Sequence, residues 1–350
     1  MMKQETIDRI RKFTEDRDWD QFHTPANLAC LDLWGSLSPS GDKLPQRSII
    51  HKWGQTTPEV KLPQRSDGGM EAGMNDYLRE SLSYFGLYRR IFQVKKRCKP
   101  AMVSYGQNRE QYFLYYEPER VTSDKVIVWV HGGGWNAGNP KLFDFVGQCV
   151  CGQGYRFVSL GYRLSPKYKY PCQIKDVCEG FNSAISYLQE NGIDVSKVVV
   201  AGPSAGAHLT SIMCYCRKVH RKFNVDVSNV IGFIGFGGPY SFRDDQSLTL
   251  KLLLDQLFKK NYNRKNGEPV ALMGKSRIPM LLIQSRHDGL IDYACAEDFA
   301  RRAEELGNAC ELYSVVDRKN THSWYTAGLF LETREENRGL DKFFSWIEEL

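Results

Sequence analysis

A serine in the middle of the chain lies in a Gly-x-Ser-x-Gly pattern formed by Gly202, Ser204 and Gly206. The apolar run 198–201 precedes the pattern, and residues of helical character follow from Ala205. This context predicts a sharp turn from a strand into a helix, which crowds the backbone and therefore needs glycine two residues on either side of the serine. The turn raises the hydroxyl above the sheet, where it can act as a nucleophile. The alternative is a serine that only caps the helix.

A serine of ordinary pKa needs a base, and the base needs a group that orients it. His322 and Asp288 are the candidates, because nucleophiles on such turns are followed along the chain first by the acid and then by the histidine. Asp288 comes soon after the apolar run 280–284, and a strand end can place its carboxylate against a neighbouring loop. Asp292 is the reserve candidate for the acid. His322 lies in a predicted loop after the strand 311–316, and its alternative is a solvated side chain.

Three consecutive glycines, 132–134, follow His131 at the end of another apolar run. Their backbone N–H groups can turn toward a substrate oxygen and stabilise negative charge on it, although the pattern alone would equally suit a flexible turn. Its position upstream of Ser204 favours an oxyanion loop. His131 and His208 are predicted to be structural. Four residues that flank these motifs are predicted either to line a substrate pocket or to belong to the core: Trp135, Asn136, Tyr240 and Trp324.

The elements that must position these residues alternate between strands and helices. The predicted strands are 101–105, 112–116, 126–130, 157–161, 198–201, 230–236, 280–284 and 311–316, and the predicted helices are 173–190, 294–306, 340–349 and one that begins at Ala205. Such alternation predicts an α/β fold with a mostly parallel central sheet and helices on both faces.

The first part of the chain differs in composition from the rest. Ile7, Ile10 and Phe13 recur at helical spacing, whereas residues 36–75 are rich in Ser, Gly, Pro and Gln and contain the hexapeptide Lys-Leu-Pro-Gln-Arg-Ser twice. A segment with few apolar side chains has little burial to offset the entropy lost on ordering. We therefore predict an N-terminal helical segment and linker over 1–76, and a catalytic domain over 77–350.

Charge and cysteine usage exclude several classes of function. The basic clusters 95–97 and 217–222 are short and lack interleaved aromatic residues, so we expect no nucleic-acid groove. No apolar stretch is long enough for a membrane span, and the N-terminus lacks the apolar core of a signal peptide, so we expect a cytoplasmic protein with reduced thiols. The pairs Cys149/Cys151 and Cys214/Cys216 have no partners at ligand spacing, so we expect no metal site. The oligomeric state stays open, with a homodimer among the alternatives.

Three motifs resemble the hormone-sensitive-lipase-like branch of α/β-hydrolases. They are His-Gly-Gly-Gly-Trp at 131–135, Tyr-Arg-Leu-Ser-Pro at 162–166 with a following Pro171, and Gly-Pro-Ser-Ala-Gly at 202–206. The resemblance extends from about Val126 to the C-terminus.

The resemblance implies an α/β-hydrolase fold, with the N-terminal segment as a helical cap or appendage, and an enzyme that needs no cofactor. It assigns the oxyanion N–H groups to Gly133, Gly134 and Ala205. Two residues depart from the pattern of this branch: Pro203 replaces the usual acidic residue, and Gly289 replaces the usual proline after the acid. These departures leave the three candidate catalytic residues intact but weaken any assignment of a substrate.

Two further resemblances widen the alternatives. Residues 204–208, Ser-Ala-Gly-Ala-His, are similar to the corresponding stretch of kynurenine formamidases and of acetyl-xylan and feruloyl esterases. Residues 11–29 weakly resemble the opening helix of MazG-like nucleotide pyrophosphohydrolases, but the magnesium-binding glutamates of those enzymes have no counterpart here.

Together these patterns predict a serine hydrolase that cleaves small-molecule carboxylic esters of small or short acyl groups through an acyl-enzyme. The alternatives are an arylformamidase or amidase with the same catalytic residues, a noncatalytic relative that binds small ligands, and a magnesium-dependent pyrophosphohydrolase. Ester turnover and its dependence on Ser204 separate these classes.

Overall fold

The computed structural model describes Leu87 and residues 89–91, 93–244 and 246–350. The predicted boundary at residue 76 and the predicted N-terminal helix lie outside these residues. Within them, no helix combines the length and the apolar composition that a membrane span requires.

A central sheet of eight strands has the order β1-β2-β4-β3-β5-β6-β7-β8. The two strands β1 and β2 pair antiparallel, as do β2 and β4, and every pairing from β4 to β8 across the sheet is parallel. The mostly parallel sheet predicted from the sequence is thus confirmed. The strands are β1 Ala101–Ser104, β2 Tyr112–Tyr116, β3 Val126–Val130, β4 Arg156–Leu160, β5 Val198–Pro203, β6 Val230–Phe236, β7 Met280–Ser285 and β8 Cys310–Val315.

Helices cover both faces of the sheet, as predicted. Successive residues of β5 alternate between two cores: Val198 and Val200 face one, and Val199 and Ala201 face the other. Because both faces are buried, the central strands are apolar throughout rather than alternating with polar residues. The helices are α1 Asp144–Gly152, α2 Cys172–Glu190, α3 Ala205–Tyr215, α4 Arg217–Phe223, α5 Leu248–Leu257, α6 Pro269–Leu272, α7 Tyr293–Glu305, α8 His322–Thr326 and α9 Arg338–Glu349, with 3-10 turns at Arg264–Gly267 and Gly328–Leu331.

Several short regions differ from the predictions, among them the segment that begins at His322 and helix α5. His322 begins the one-and-a-half-turn helix α8, so the predicted loop around this histidine is wrong. Helix α5 is not among the predicted elements, although Ser247 caps it by accepting a hydrogen bond from the Leu250 N–H at 3.2 Å. Leu250, Leu254 and Leu257 are buried at helical spacing and hold α5 on the core.

Candidate active site

Ser204 occupies the sharp turn between β5 and α3, with φ 50° and ψ −118°. A positive φ in a residue other than glycine costs roughly 1–3 kcal/mol, and such conformations concentrate at functional sites. The Ser204 N–H donates a 2.7 Å hydrogen bond to the Phe236 carbonyl and so ties the turn to the end of β6. In the stretch 198–216, every residue except Ser204 is buried. The turn therefore presents one hydroxyl from an otherwise enclosed segment.

The flanking glycine at 202 is required by close approach of the backbone. A Cβ atom at Gly202 would lie 2.8 Å from the Val130 carbonyl oxygen, which belongs to the neighbouring strand β3. Contacts this short are essentially never made by real Cβ atoms. The glycine spacing in the sequence thus reflects how tightly the nucleophile turn packs against the strand that carries the glycine-rich loop.

His322 and Asp288 are brought together at the ends of β8 and β7. The Nδ1–H group of His322 donates to Asp288 Oδ2 at 2.7 Å, and the two side chains are 6% and 1% exposed. The other carboxylate oxygen accepts hydrogen bonds from the N–H groups of Leu290 and Ile291, each at 2.8 Å. A carboxylate can only accept, so Nδ1 carries the proton and Nε2 is left as the nitrogen that can accept one. This tautomer is the one that a general base requires.

Tyr325, which the sequence analysis did not single out, is a further partner of Asp288. Its hydroxyl donates to Asp288 Oδ2 at 2.5 Å, the same oxygen that His322 contacts. Burial, together with the negative charge of Asp288, raises the pKa of Tyr325 well above its ordinary value, so the phenol stays protonated and remains a donor. In the sequence, the one signal for this contact with Asp288 is the three-residue spacing between Tyr325 and His322. That spacing is informative if a helix is predicted there.

The turn after β6 lies between the nucleophile and the acid. Gly237 follows Phe236, adopts φ 58°, and donates from its N–H to the Ile283 carbonyl of β7 at 3.1 Å. A Cβ atom at Gly237 would lie 2.8 Å from Thr326 Cγ2 on α8. Ser204, Asp288 and His322 therefore follow parallel strands and share the edge of the sheet where the carboxyl ends of those strands meet.

The reserve acid has a different role. Asp292 is exposed, and its carboxylate accepts a 2.8 Å hydrogen bond from the Ala294 N–H, which caps helix α7. A side chain that satisfies the free N–H groups of a helix is explained by that function alone. The structure accordingly favours Asp288 over Asp292 as the partner of the histidine.

The glycine-rich loop follows β3 and adopts three consecutive positive φ angles: 111° at Gly133, 57° at Gly134 and 61° at Trp135. Glycine reaches these angles at little cost, which explains its presence there. Within the described part of the chain, the N–H groups of Gly133, Gly134 and Ala205 have no hydrogen-bond acceptor. The loop also packs on the nucleophile turn, because a Cβ atom at the preceding Gly132 would lie 3.5 Å from Ser204 Cβ. Such free donors beside the hydroxyl are suited to an oxyanion.

His131 and His208 have the surroundings of structural residues. Burial lowers the pKa of each to about 4, so both imidazoles are neutral at physiological pH. His131 donates from Nδ1 to the Gly132 carbonyl at 2.7 Å. His208 donates from Nε2 to the Gly267 carbonyl at 2.7 Å and accepts from the Trp135 indole at 3.2 Å. Both hydrogen-bond patterns fix the glycine-rich loop and leave no free ring nitrogen on His208.

Comparison with protein families agrees with this geometry. The family model described as BD-FAE matches residues 114–302, which is more than half of the chain and contains the glycine-rich loop, the nucleophile turn and Asp288. The chain belongs to the BD-FAE family. This membership confirms the resemblance to hormone-sensitive-lipase-like α/β-hydrolases.

Curated relatives match the BD-FAE domain over shorter stretches. The FAD-linked oxidoreductase pytB of Aspergillus terreus is 35% identical over 97 residues, which are 27% of this chain and 11% of that protein. The carboxylesterase NlhH of Mycobacterium tuberculosis is 34% identical over 29% of this chain and 32% of its own length. The kynurenine formamidase of Debaryomyces hansenii is 32% identical over 31% of this chain and 37% of its own length. This chain thus spans well under half the length of these relatives.

Solved structures show the α/β-hydrolase fold of the BD-FAE protein over a longer range. Esterase B from Lactobacillus rhamnosis, in complex with a tributyrin phosphonate, superposes with a TM-score of 0.65 at 17% identity and covers 80% of this chain and 96% of its own. A hyperthermophilic esterase from the archaeon Pyrobaculum calidifontis gives a TM-score of 0.62 at 18% identity and covers 80% and 94% of the two chains.

Of the four residues predicted to line a pocket or to belong to the core, two have core surroundings in the BD-FAE protein. Trp135 is 1% exposed, and Tyr240 is 0% exposed and stacks on Phe299 with ring centroids 4.5 Å apart. For these two residues the structure favours the core alternative, since neither presents surface to a ligand. Asn136 and Trp324 are partly exposed, and their pocket roles stay predictions.

Helix α5 connects the two sides of the site. At its beginning, the Ser247 hydroxyl donates to the Leu290 carbonyl, two residues after Asp288, at 2.9 Å. Toward its end, Gln256 Oε1 accepts from the Asn136 amide at 2.7 Å. Between these contacts Leu253 packs on the glycine-rich loop, because a Cβ atom at Gly134 would lie 2.9 Å from Leu253 Cδ2. The helix therefore borders the space beside the oxyanion loop.

Proposed function

We propose that this BD-FAE protein is a serine hydrolase that cleaves small-molecule carboxylic esters through a catalytic triad of Ser204, His322 and Asp288. The observation that carries the proposal is the buried hydrogen bond from His322 to Asp288, which leaves Nε2 as a base at the same edge of the sheet as an accessible, strained serine. The relatives named as carboxylesterases and esterases support ester chemistry.

The reaction begins when Ser204 Oγ attacks the ester carbonyl and His322 Nε2 takes the hydroxyl proton. The tetrahedral oxyanion accepts hydrogen bonds from the N–H groups of Gly133, Gly134 and Ala205, and each donor lowers the barrier by on the order of 3 kcal/mol. Asp288 stabilises the imidazolium and keeps its orientation. The imidazolium then gives its proton to the leaving alcohol, and water hydrolyses the acyl-enzyme by the same steps.

The acyl group is small or short in this proposal. Leu253 fills space directly beside Gly134, one of the residues proposed to bind the oxyanion. A bulky side chain close to the oxyanion loop limits how far an acyl chain can extend there, since one methylene misplaced in an apolar pocket costs on the order of 1–3 kcal/mol.

An arylformamidase is the second candidate, because one relative carries the name kynurenine formamidase and the same triad would serve an amide. The formyl group is the smallest acyl group, so the restriction beside Leu253 would admit it. Relative rates on an aryl formamide and on an aryl ester of equal size separate the two candidates.

The decisive test compares Ser204→Ala with the natural sequence on p-nitrophenyl esters from acetate to decanoate. We expect Ser204→Ala to reduce kcat/KM by at least about a thousandfold, because the remaining groups cannot form the acyl-enzyme. Ser211→Ala is the matched control: Ser211 is buried on the same helix α3 and donates to the His208 carbonyl at 2.8 Å, so its loss affects stability rather than turnover.

Three outcomes would contradict the proposal. Equal activity in Ser204→Ala would exclude Ser204 as the nucleophile, and magnesium-dependent nucleotide cleavage that survives the substitution would favour a pyrophosphohydrolase. Absence of turnover by the natural protein, together with no labelling of Ser204 by a fluorophosphonate, would favour a noncatalytic ligand-binding relative.

A further inference from the structure

We propose that Tyr325 is a positioning residue of the triad, which acts through Asp288 by holding the carboxylate for His322 and limiting how strongly it binds the imidazolium. This inference rests on the proposed function. It concerns the tyrosine hydroxyl that shares Asp288 Oδ2 with His322, for which the sequence motifs gave no indication.

The geometry places three donors on one oxygen, of which His322 and Tyr325 are the two nearest. Asp288 Oδ2 accepts from His322 Nδ1 at 2.7 Å and from the Tyr325 hydroxyl at 2.5 Å, and Gln284 Nε2 lies at 3.4 Å from the same atom. Oδ1 is occupied by two backbone N–H groups of the loop that follows. The carboxylate therefore has no rotational freedom, and Tyr325 competes with His322 for the charge on one oxygen.

Helix α8 supplies both donors. His322 and Tyr325 are three residues apart and therefore lie on one face of the helix. Their rings meet edge to face with centroids 6.1 Å apart, and Thr326 stabilises the turn by donating from its hydroxyl to the His322 carbonyl at 2.6 Å. A movement of α8 would shift both donors relative to Asp288. The short helix therefore determines the positions of His322 and Tyr325 together.

The surroundings leave Tyr325 as a neutral donor. It is 2% exposed and lies among apolar residues of the core. The titratable groups near Tyr325 include Asp288, the fully buried Tyr240, and His322, whose ring centroid lies 6.1 Å away. Arg286, two residues before Asp288, lies with its guanidinium carbon 3.9 Å from the Tyr293 ring centroid.

The charge of Asp288 stabilises the imidazolium that forms when Ser204 loses its proton. A hydrogen bond to the charged form of a carboxylate favours that form and disperses its charge. Removal of the Tyr325 hydroxyl leaves His322 as the nearest donor to Oδ2, beside the more distant Gln284 amide, so His322 feels more of its charge and the pKa of His322 rises. Because the base must be neutral to accept a proton, the acidic limb of the pH–rate profile moves to higher pH. The plateau falls, since the carboxylate is less well fixed.

A matched control exists elsewhere in the same core. The Tyr116 hydroxyl donates to Asp144 Oδ1 at 2.9 Å, and Tyr116 is 0% exposed. Tyr116→Phe therefore removes the same kind of buried tyrosine–aspartate hydrogen bond as Tyr325→Phe, but from a pair that does not contact the triad.

The experiment measures kcat/KM for p-nitrophenyl acetate from pH 4 to 9 in the natural protein, Tyr325→Phe and Tyr116→Phe. We expect Tyr325→Phe to move the acidic limb upward by about 0.5–1 pH unit and to lower the plateau by roughly three- to tenfold. Tyr116→Phe should move neither. Equal profiles for both variants would show that Tyr325 is only structural.

Two further measurements keep the proposal falsifiable. The pKa of His322 followed by NMR of its Hε1 resonance, assigned with His322→Gln, should rise in Tyr325→Phe even if no ester is hydrolysed; an unchanged value would overturn the inference independently of the proposed function. If Tyr325→Phe does not fold, 3-fluorotyrosine placed at position 325 retains the shape and is a stronger donor. The acidic limb should then move to lower pH, and an unmoved limb would contradict the proposal.

Discussion

The oxyanion side of the site and the acid side each hold histidines, but with different partners. On the oxyanion side, His131 and His208 are buried and bonded to backbone carbonyls, and burial lowers the pKa of each to about 4. On the acid side, His322 is bonded to the carboxylate of Asp288, which can stabilise a positive charge. A backbone carbonyl that accepts from a buried imidazole carries no charge and leaves the ring neutral. A carboxylate in the same place stabilises the ring in its protonated form. The bonding partner therefore distinguishes the base from the structural histidines, since both kinds are buried.

The largest effect should separate these histidines directly. We expect His322→Gln to reduce kcat/KM by roughly four orders of magnitude or more, because the substitution removes the proposed base for the proton of Ser204. His208→Gln should reduce it by less than about tenfold, since a glutamine amide can still donate to the Gly267 carbonyl and accept from the Trp135 indole. Ester hydrolysis by the two purified variants, with circular dichroism to verify folding, measures the contrast. A comparable loss in both would mean that the distinction by bonding partner is wrong.

An intermediate effect tests the apolar boundary of the oxyanion side. Leu253→Ala removes the side chain that packs on Gly134, so esters two to four carbons longer should gain on the order of tenfold in kcat/KM relative to acetate. Leu252→Ala is the control, because Leu252 lies next to it on α5 and is 42% exposed. The p-nitrophenyl series measures the optimum for each variant. If Leu252→Ala shifts the optimum and Leu253→Ala does not, the acyl group lies on the other side of the helix.

The smallest effect concerns acid stability of the oxyanion side. The folded-state pKa of about 4 for His131 and His208 lies below the ordinary value of 6.5, so the unfolded chain binds more protons between these limits. Above pH 6.5 the two histidines are neutral in both states and do not lower the free energy of unfolding. As the pH falls from 6.5 toward 4, protonation of the unfolded chain lowers that free energy. For each histidine, every tenfold difference in proton affinity between the folded and unfolded chains corresponds to roughly 1.4 kcal/mol.

Urea unfolding at pH 7.5 and pH 5 measures this contribution to the free energy of unfolding. We expect a smaller fall in that free energy for His208→Gln than for the natural protein, because one of the two titrating groups is gone. An equal fall in both proteins would place the acid sensitivity elsewhere in the chain.

The parallel sheet and the triad order were predictable because they depend on local patterns. Apolar runs such as 126–130 and 198–201 are typical of strands buried on both faces, and the glycines around Ser204 are dictated by the backbone of one turn. Each pattern is contained within a few neighbouring residues, so no tertiary information was needed.

The features that escaped prediction depend on contacts between distant segments. Tyr325 becomes a partner of Asp288 only when α8 docks beside β7, and Leu253 borders the site only when α5 packs beside the glycine-rich loop, where Gln256 binds Asn136 across 120 residues. The burial of Trp135 has the same origin, since its indole donates to His208, 73 residues later. Side-chain type and spacing in the sequence do not indicate contacts between such distant residues.

The position of the three proposed triad residues along the sheet has a consequence for the stage of folding at which the proposed site forms. Ser204, Asp288 and His322 follow β5, β7 and β8, and β6 and β7 must pair before the histidine can reach the serine. Pairings between strands so far apart along the chain form slowly compared with local helices. The nucleophile turn can exist as soon as β3, β5 and β6 associate, whereas the base arrives with the last strand at the sheet edge. During refolding, recovery of the proposed hydrolysis would therefore report that β8 has joined the sheet rather than that the sheet has nucleated.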